Sequence, residues 1–151
     1  MVKSSSRNIE VTPYLMHPYE IFDNRDFLEI PSGRIPMLIF GEHNMQNVGA
    51  ALAICNELKI GNDKFYNAVK TFRGASKRLE VIKRNDVTTI FLDFAHSPSK
   101  LKASLKAVKT QFPERKIIAL YELHSISSLS ETYLRHYKET MKRADTAIVY
   151  Y

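Results

Sequence analysis

The chain has 151 residues, 44% of them hydrophobic and 25% charged, with a formal net charge of +6 and a pI near 9.4, enough apolar material for one ordinary domain or two small pieces. No apolar stretch approaches the roughly 18 residues that cross a bilayer, the start Met1-Val2-Lys3-Ser4-Ser5-Ser6-Arg7 lacks the apolar segment of a secretory signal, and the single cysteine, Cys55, excludes an intramolecular disulfide and a multi-cysteine zinc site. These features point to a cytoplasmic protein with no membrane partner, and the dispersed Lys and Arg residues, without interleaved aromatics, argue against a nucleic-acid partner.

From Ile9 to Phe40, Pro13, Pro18, Pro31 and Pro36 interrupt short apolar runs such as Phe27–Ile30 and Met37–Phe40, which predicts short strands joined by turns. Neither G-x-x-x-x-G-K-[ST] nor G-x-G-x-x-G occurs here or later, so a glycine-rich phosphate loop is missing. At Gly41-Glu42-His43-Asn44 the pattern becomes helical, with Asn44 as candidate cap and Val48, Ala51, Leu52, Cys55 and Leu58 as the apolar face. Gly61 closes that helix. A second helix is expected from about Asp63 to Lys70, capped by Asn62 or Asp63, with Phe65, Ala68 and Val69 facing inward. The turn Arg73-Gly74-Ala75-Ser76 sets a domain boundary between 1–76 and 77–151.

Beyond it the periodicity is that of strands: Leu79–Lys83, a turn at Asn85-Asp86, then Val87–Leu92, a hairpin. The apolar run stops at Asp93, and Ser97-Pro98 starts a helix to about Gln111, its cap and first helical position both favourably filled. Leu101, Leu105, Val108 and Phe112 form its core stripe, leaving Lys102, Lys106 and Lys109 on a solvated face, with Lys100 close by. Lys116–Tyr121 is continuously apolar after its lysine, as for a strand covered on both faces. Ser128 and Glu131 fit a capping box before a helix with Tyr133, Leu134, Tyr137 and Met141 inward, and Thr146–Tyr151 makes a last strand.

The resulting β-α-β-α-β order predicts an α/β fold with a mostly parallel, Rossmann-like sheet and right-handed crossovers. Ligands of such sheets lie beyond the carboxyl ends of the strands. Two polar clusters belong at that edge: Asp93, His96 and Ser97, then Glu122, His124 and Ser125. A strand end feeding a helix start suits an anionic or phosphorylated ligand, and the small, thinly covered sheet suggests a fragment.

Three motifs, in order and at matching spacing, resemble the Mur ligase family: Gly41-Glu42-His43-Asn44-Met45-Gln46-Asn47, Phe72-Arg73-Gly74-Ala75-Ser76-Lys77-Arg78-Leu79-Glu80, and Asp93-Phe94-Ala95-His96-Ser97-Pro98. They are similar to the end of that family's central ATPase domain, its linker, and the opening of its Rossmann-like C-terminal domain. Within the family the Arg78-Leu79-Glu80 and Phe94-Ala95-His96 wording looks most like ligases that attach a recycled peptide to UDP-N-acetylmuramate, with the L-alanine-adding type as near neighbour. Glu122-Leu123-His124-Ser125 departs from both, since the family usually carries a proline there.

The resemblance implies an ATP-dependent, magnesium-requiring enzyme that joins a peptide or amino acid to UDP-N-acetylmuramate through an acyl phosphate, with phosphate loop and magnesium ligands upstream of this fragment. By the same resemblance Asn44 and Asn47 would bind adenine, Arg78 the phosphates or ribose, and Asp93 the ribose hydroxyls, with His43 shaping the pocket. His96 is a candidate for the chemistry and, with His124 and Ser125, for the incoming substrate. Residue types alone also allow a helix cap at Asn44, a surface arginine at Arg78, a self-bonded loop carboxylate at Asp93 and a turn-bonded imidazole at His96. Two other classes of function compete: a non-catalytic nucleotide-binding module, and a metal hydrolase built on Asp93, His96, Glu122 and His124. Nothing in the sequence fixes an oligomeric state.

Overall fold

The computed structural model describes residues 11–123 and 130–151. Strands β1 (Tyr19–Phe22), β2 (Arg25–Ile30) and β3 (Gly33–Pro36) form an antiparallel meander, with Leu28 opposite Tyr19 on one side and Ile35 on the other. The β1–β2 turn places Asp23 and Asn24 at φ 49° and 54°, the left-handed pair that a tight hairpin demands and that Asp and Asn tolerate best. Met37–Phe40, expected as a strand, joins no ladder. It is a link whose Met37 and Ile39 are buried while Leu38 is exposed, tied back by Met37 N–H donating to the Asp26 carbonyl at 2.8 Å.

Helix α1 (Glu42–Glu57) starts one turn earlier than an Asn44 cap requires. Gly41 is the cap, at φ 93°, and Asn44 sits inside the first turn with Nδ2 donating to the Phe40 carbonyl at 2.8 Å. Its buried face is also rotated from the expected one: Met45, Val48 and Gly49 are buried, whereas Ala51 and Leu58 are exposed. The cause is the segment around Leu15–His17, which crosses the helix at Gly49. A Cβ built there would overlap the Leu15 carbonyl oxygen, and His17 N–H donates to the Met45 carbonyl at 3.2 Å. Helix α2 (Asn62–Thr71) is capped at Gly61 with no side-chain bond, and buries Phe65 while Ala68 stays exposed. Leu28, Ile35, Met37, Ile39, Met45, Val48 and Phe65 make the first core, each contributing about 1.5–3 kcal/mol by leaving water.

Strands β4 (Glu80–Arg84) and β5 (Thr89–Leu92) form the expected antiparallel hairpin, with a register shift between Val81 and Lys83. Asn85 Oδ1 closes its turn by accepting from the Val87 and Thr88 N–H groups. Helix α3 (Pro98–Gln111) begins at Ser97-Pro98 as predicted, although the Ser97 hydroxyl lies 3.4 Å from that of Ser99 instead of capping the backbone. Strand β6 (Ile118–Glu122) pairs in parallel with β7 (Thr146–Tyr150), Ile118 opposite Thr146.

The molecule is a mixed α/β structure, and its parallel pairing among the described residues is confined to β6 and β7, because β5 makes its ladder with β4. Strand β6 is not covered on both faces: Ile118 and Leu120 are 73% and 68% exposed. The helix between these strands is also shorter than the periodicity suggested. Helix α4 spans Glu131–Leu134, continues as a 3₁₀ turn over Arg135–Tyr137 and is broken before Glu139, at φ 65°. Ser130 is its cap, Leu134 is exposed, and Ser128 of the proposed capping box lies outside the described residues. Ala95, Leu101, Leu105 and Ile117 form the second core, with Tyr137 and Met141 packed on it.

The two halves meet through Phe40, Phe91 and Phe112, whose ring centroids are 5.6 to 6.1 Å apart. The α3 lysine face is used, not merely solvated: Lys106 pairs with Glu42, and Lys109 reaches the Arg115 carbonyl at 3.1 Å and Asp145 at 3.8 Å. Among the described residues no helix is long and apolar enough to cross a membrane.

Candidate functional site

A cleft of about 690 Å³ opens between α1, α2, the linker and the start of α3. Residues three or four apart on a helix share a face, so the first turns of α1 present His43, Asn44 and Asn47 together. The linker supplies Arg78, and the chain beyond the carboxyl end of β5 supplies Asp93. All five line this one cleft. Its apolar wall includes Ala51, Phe65, Ala68 and Phe72, which explains why Ala51 and Ala68 are exposed: they border the cleft rather than the core.

The polar groups are held from behind. Ser104 Oγ donates to Asp93 Oδ2 at 2.8 Å, leaving Oδ1 as the acceptor for a ligand. With Nδ2 of Asn44 committed to the Phe40 carbonyl, its side-chain oxygen remains as an acceptor. The His43 imidazole titrates below its ordinary value, chiefly through burial and further through Arg78, with Asp93 opposing. It is therefore neutral at physiological pH. The α1 start is itself anchored by Asp26, 1% exposed, whose Oδ2 accepts the Gly41 N–H at 2.9 Å. Burial raises the Asp26 carboxyl above the usual carboxylate range, and the Gly41 bond opposes that shift.

His96 does not line the cleft. Its Nδ1 lies 3.1 Å from the Phe94 carbonyl, its ring packs on Phe94 at 4.9 Å, and its own carbonyl accepts from the Tyr137 hydroxyl at 3.4 Å. The imidazole thus holds the Asp93–Ser97 turn. His124 and Ser125 lie outside the described residues. Lys100 and Ser104 also line the cleft and were missed, Lys100 because helical periodicity reads it as solvated, Ser104 because only the tertiary fold brings it to Asp93. Among the described residues no three His, Cys, Asp or Glu side chains gather to hold a metal ion, so Asp93, His96 and Glu122 form no metal centre with one another.

Residues 77–150 match the family profile described as Mur ligase, glutamate ligase domain. That part of the chain belongs to the Mur ligase family. A UDP-N-acetylmuramate–L-alanine ligase of Sulfurihydrogenibium is 38% identical over 98 residues, 65% of this chain and 21% of the relative. A bifunctional enzyme MurC/Ddl of Chlamydia trachomatis is 30% identical over 146 residues, 96% of this chain and 18% of the relative. The crystal structure of the UDP-N-acetylmuramate–alanine ligase of Thermotoga maritima superposes with a TM-score of 0.68 at 20% identity, covering 83% of this chain and 29% of that one. The chain spans about a fifth to a quarter of the curated relatives' length. Its curated relatives are mostly L-alanine ligases rather than the peptide-attaching type.

Proposed function

We propose that this chain is the adenosine-binding part of an ATP-dependent amide-bond-forming ligase that joins L-alanine to UDP-N-acetylmuramate in the cytoplasm. The observation that carries the reading is the convergence of His43, Asn44, Asn47, Arg78 and Asp93, from both halves of the chain, on one cleft. Residues 1–76 are the tail of the ATPase domain in this reading, and 77–151 the opening of the C-terminal domain. Asn44 accepts from the adenine amino group through its side-chain oxygen, Asn47 makes a second bond to the base, and Asp93 Oδ1 accepts from a ribose hydroxyl. Neutral His43 forms the cleft wall without repelling Arg78, whose fork of donors faces the phosphates. The apolar wall stacks the base.

In the reaction, the muramate carboxylate takes the terminal phosphoryl group of ATP, releasing ADP. The amine of L-alanine then attacks the acyl phosphate, giving the amide and inorganic phosphate. Such chemistry works by positioning and by neutralising phosphate charge. By the family resemblance, the magnesium that neutralises the phosphates would be held upstream of this fragment. The test is a ligation assay with UDP-N-acetylmuramate, ATP and either L-alanine or the tripeptide. The 151-residue chain alone should form no amide, while the full ligase should use L-alanine. Turnover by the chain alone would overturn the division of labour. The Arg78-Leu79-Glu80 and Phe94-Ala95-His96 motifs favour tripeptide as a second reading, and a full ligase that prefers tripeptide would establish it.

A further inference from the structure

Helix α3 packs on its core through Leu101 and Leu105, both buried, and a side chain carried beside such a stripe is held more precisely than one on a loop. Ala103 and Ser104 lie three and four residues beyond Lys100, and the three line the cleft together. Ser104 is half-buried. A helical serine commonly turns its hydroxyl back to the carbonyl four residues earlier, here that of Lys100. The Ser104 hydroxyl instead donates to Asp93 Oδ2 at 2.8 Å, eleven residues back along the chain.

Asp93 depends on that bond. It follows the end of β5 at Leu92, and its neighbour Phe94 ties the backbone to the linker by donating its N–H to the Lys77 carbonyl at 2.8 Å. The side chain has no such anchor: among the described residues no lysine, arginine or histidine forms an ion pair with the carboxylate, and Ser104 is the one side chain that hydrogen-bonds it. The backbone of this turn is therefore fixed, while the direction of the carboxylate is set from α3. A hydroxyl bonded to an ionised carboxylate is a strong contact only when distance and angle are held. Without Ser104 the carboxylate can turn toward water, and a ligand hydroxyl at Oδ1 is then worth less.

We propose that Ser104 is the positioning residue behind sugar selection in this cleft: by fixing the Asp93 carboxylate with Oδ1 toward the ligand, it makes the cleft prefer ribonucleotides to deoxyribonucleotides. The proposal rests on the assignment of Asp93 to the ribose.

The test measures binding of ATP, 2′-deoxy-ATP and 3′-deoxy-ATP to the 151-residue chain by calorimetry, for wild type, Ser104→Ala, Ser104→Thr, Asp93→Ala and the Asp93→Ala/Ser104→Ala double variant, each checked for folding by circular dichroism. Wild type should bind ATP about ten-fold more tightly than the deoxynucleotide that lacks the hydroxyl held by Asp93, the size of one hydrogen bond to a charged group. Ser104→Ala should cut that preference to about three-fold, by weakening ATP while leaving that deoxynucleotide unchanged, and Ser104→Thr, which keeps the hydroxyl, should retain it. Added to Asp93→Ala, Ser104→Ala should cost nothing further, because it acts only through Asp93. A preference untouched by Ser104→Ala, or an equal loss for all three nucleotides, in a chain whose ATP binding does depend on Asp93, would overturn the proposal alone. ATP binding indifferent to Asp93→Ala, or no wild-type preference for ATP over either deoxynucleotide, would overturn the ribose assignment and the proposal with it.

Discussion

Gly49→Ala provides a sign test of the packing. Gly49 lies inside α1, where helix propensity alone favours alanine by about 1 kcal/mol. The structure predicts the opposite. A Cβ at this position overlaps the Leu15 carbonyl oxygen and comes within 3.0 Å of its carbonyl carbon and 3.1 Å of the His17 nitrogen, whereas carbon contacts settle near roughly 3.5–4.0 Å. The obstacle is backbone, so the Leu15–His17 segment must retreat. Retreat breaks the His17 N–H bond to the Met45 carbonyl, 3.2 Å long, and the 3.0 Å contact between His17 Nε2 and the Tyr66 hydroxyl. At about 1 kcal/mol each, these two losses outweigh the propensity gain. The net is a destabilisation of about 1–2 kcal/mol, or roughly 3–6 °C in Tm for a chain of this size. Urea and thermal denaturation followed by circular dichroism read it directly. An alanine variant as stable as the wild type, or more so, would show that the segment does not lie on α1.

Gly41→Ala should be worse, because φ 93° with ψ 145° is backbone that glycine alone adopts readily, and the added carbon would sit 2.6 Å from Ala107 Cβ. A loss of about 2–4 kcal/mol is expected, together with weakened ATP binding, since the start of α1 carries Asn44; unchanged ATP affinity in a folded variant would separate the cleft from the cap. His43→Gln tests the buried imidazole. Its folded pKa lies below the ordinary value of about 6.5, so above that pH both states are neutral and nothing is gained or lost. As pH falls through it, the unfolded chain takes up a proton that the folded one resists, and stability drops. The variant should therefore lose less stability than wild type between pH of about 7.5 and 5.5, and equal losses would contradict the burial of His43.

Much of this arrangement was legible because it depends on local patterns. The Asn85 turn, the Ser97-Pro98 helix start and the parallel pairing of the last two strands follow from turn chemistry, cap preference and runs of apolar residues. What was misread depends on distant neighbours. The rotated face of α1 is set by a segment some thirty residues earlier crossing at Gly49, which periodicity cannot see. Ala51 and Ala68 look like core by spacing, yet they wall a cleft. Tyr133, Leu134, Tyr137 and Met141 have helical spacing, but α4 stops after Leu134 and a 3₁₀ turn carries the chain onward. At the site, the motif residues of α1, the linker and Asp93 were all legible, whereas Asp26 and Ser104, which hold them in place, were not. Supporting residues of this kind carry no motif of their own.

The central claim is that Asn47 and Asp93, on opposite halves of the chain, bind one nucleotide. Calorimetric titration of ATP into the 151-residue chain, its Asn47→Ala and Asp93→Ala variants and a Ser104→Ala control tests it most directly. Each of the first two substitutions should weaken binding about ten-fold, as expected for loss of one or two well-formed hydrogen bonds, with Ser104→Ala costing less because Asp93 itself remains. ATP affinity unchanged by Asp93→Ala, in a variant that folds as the wild type does, would contradict the account.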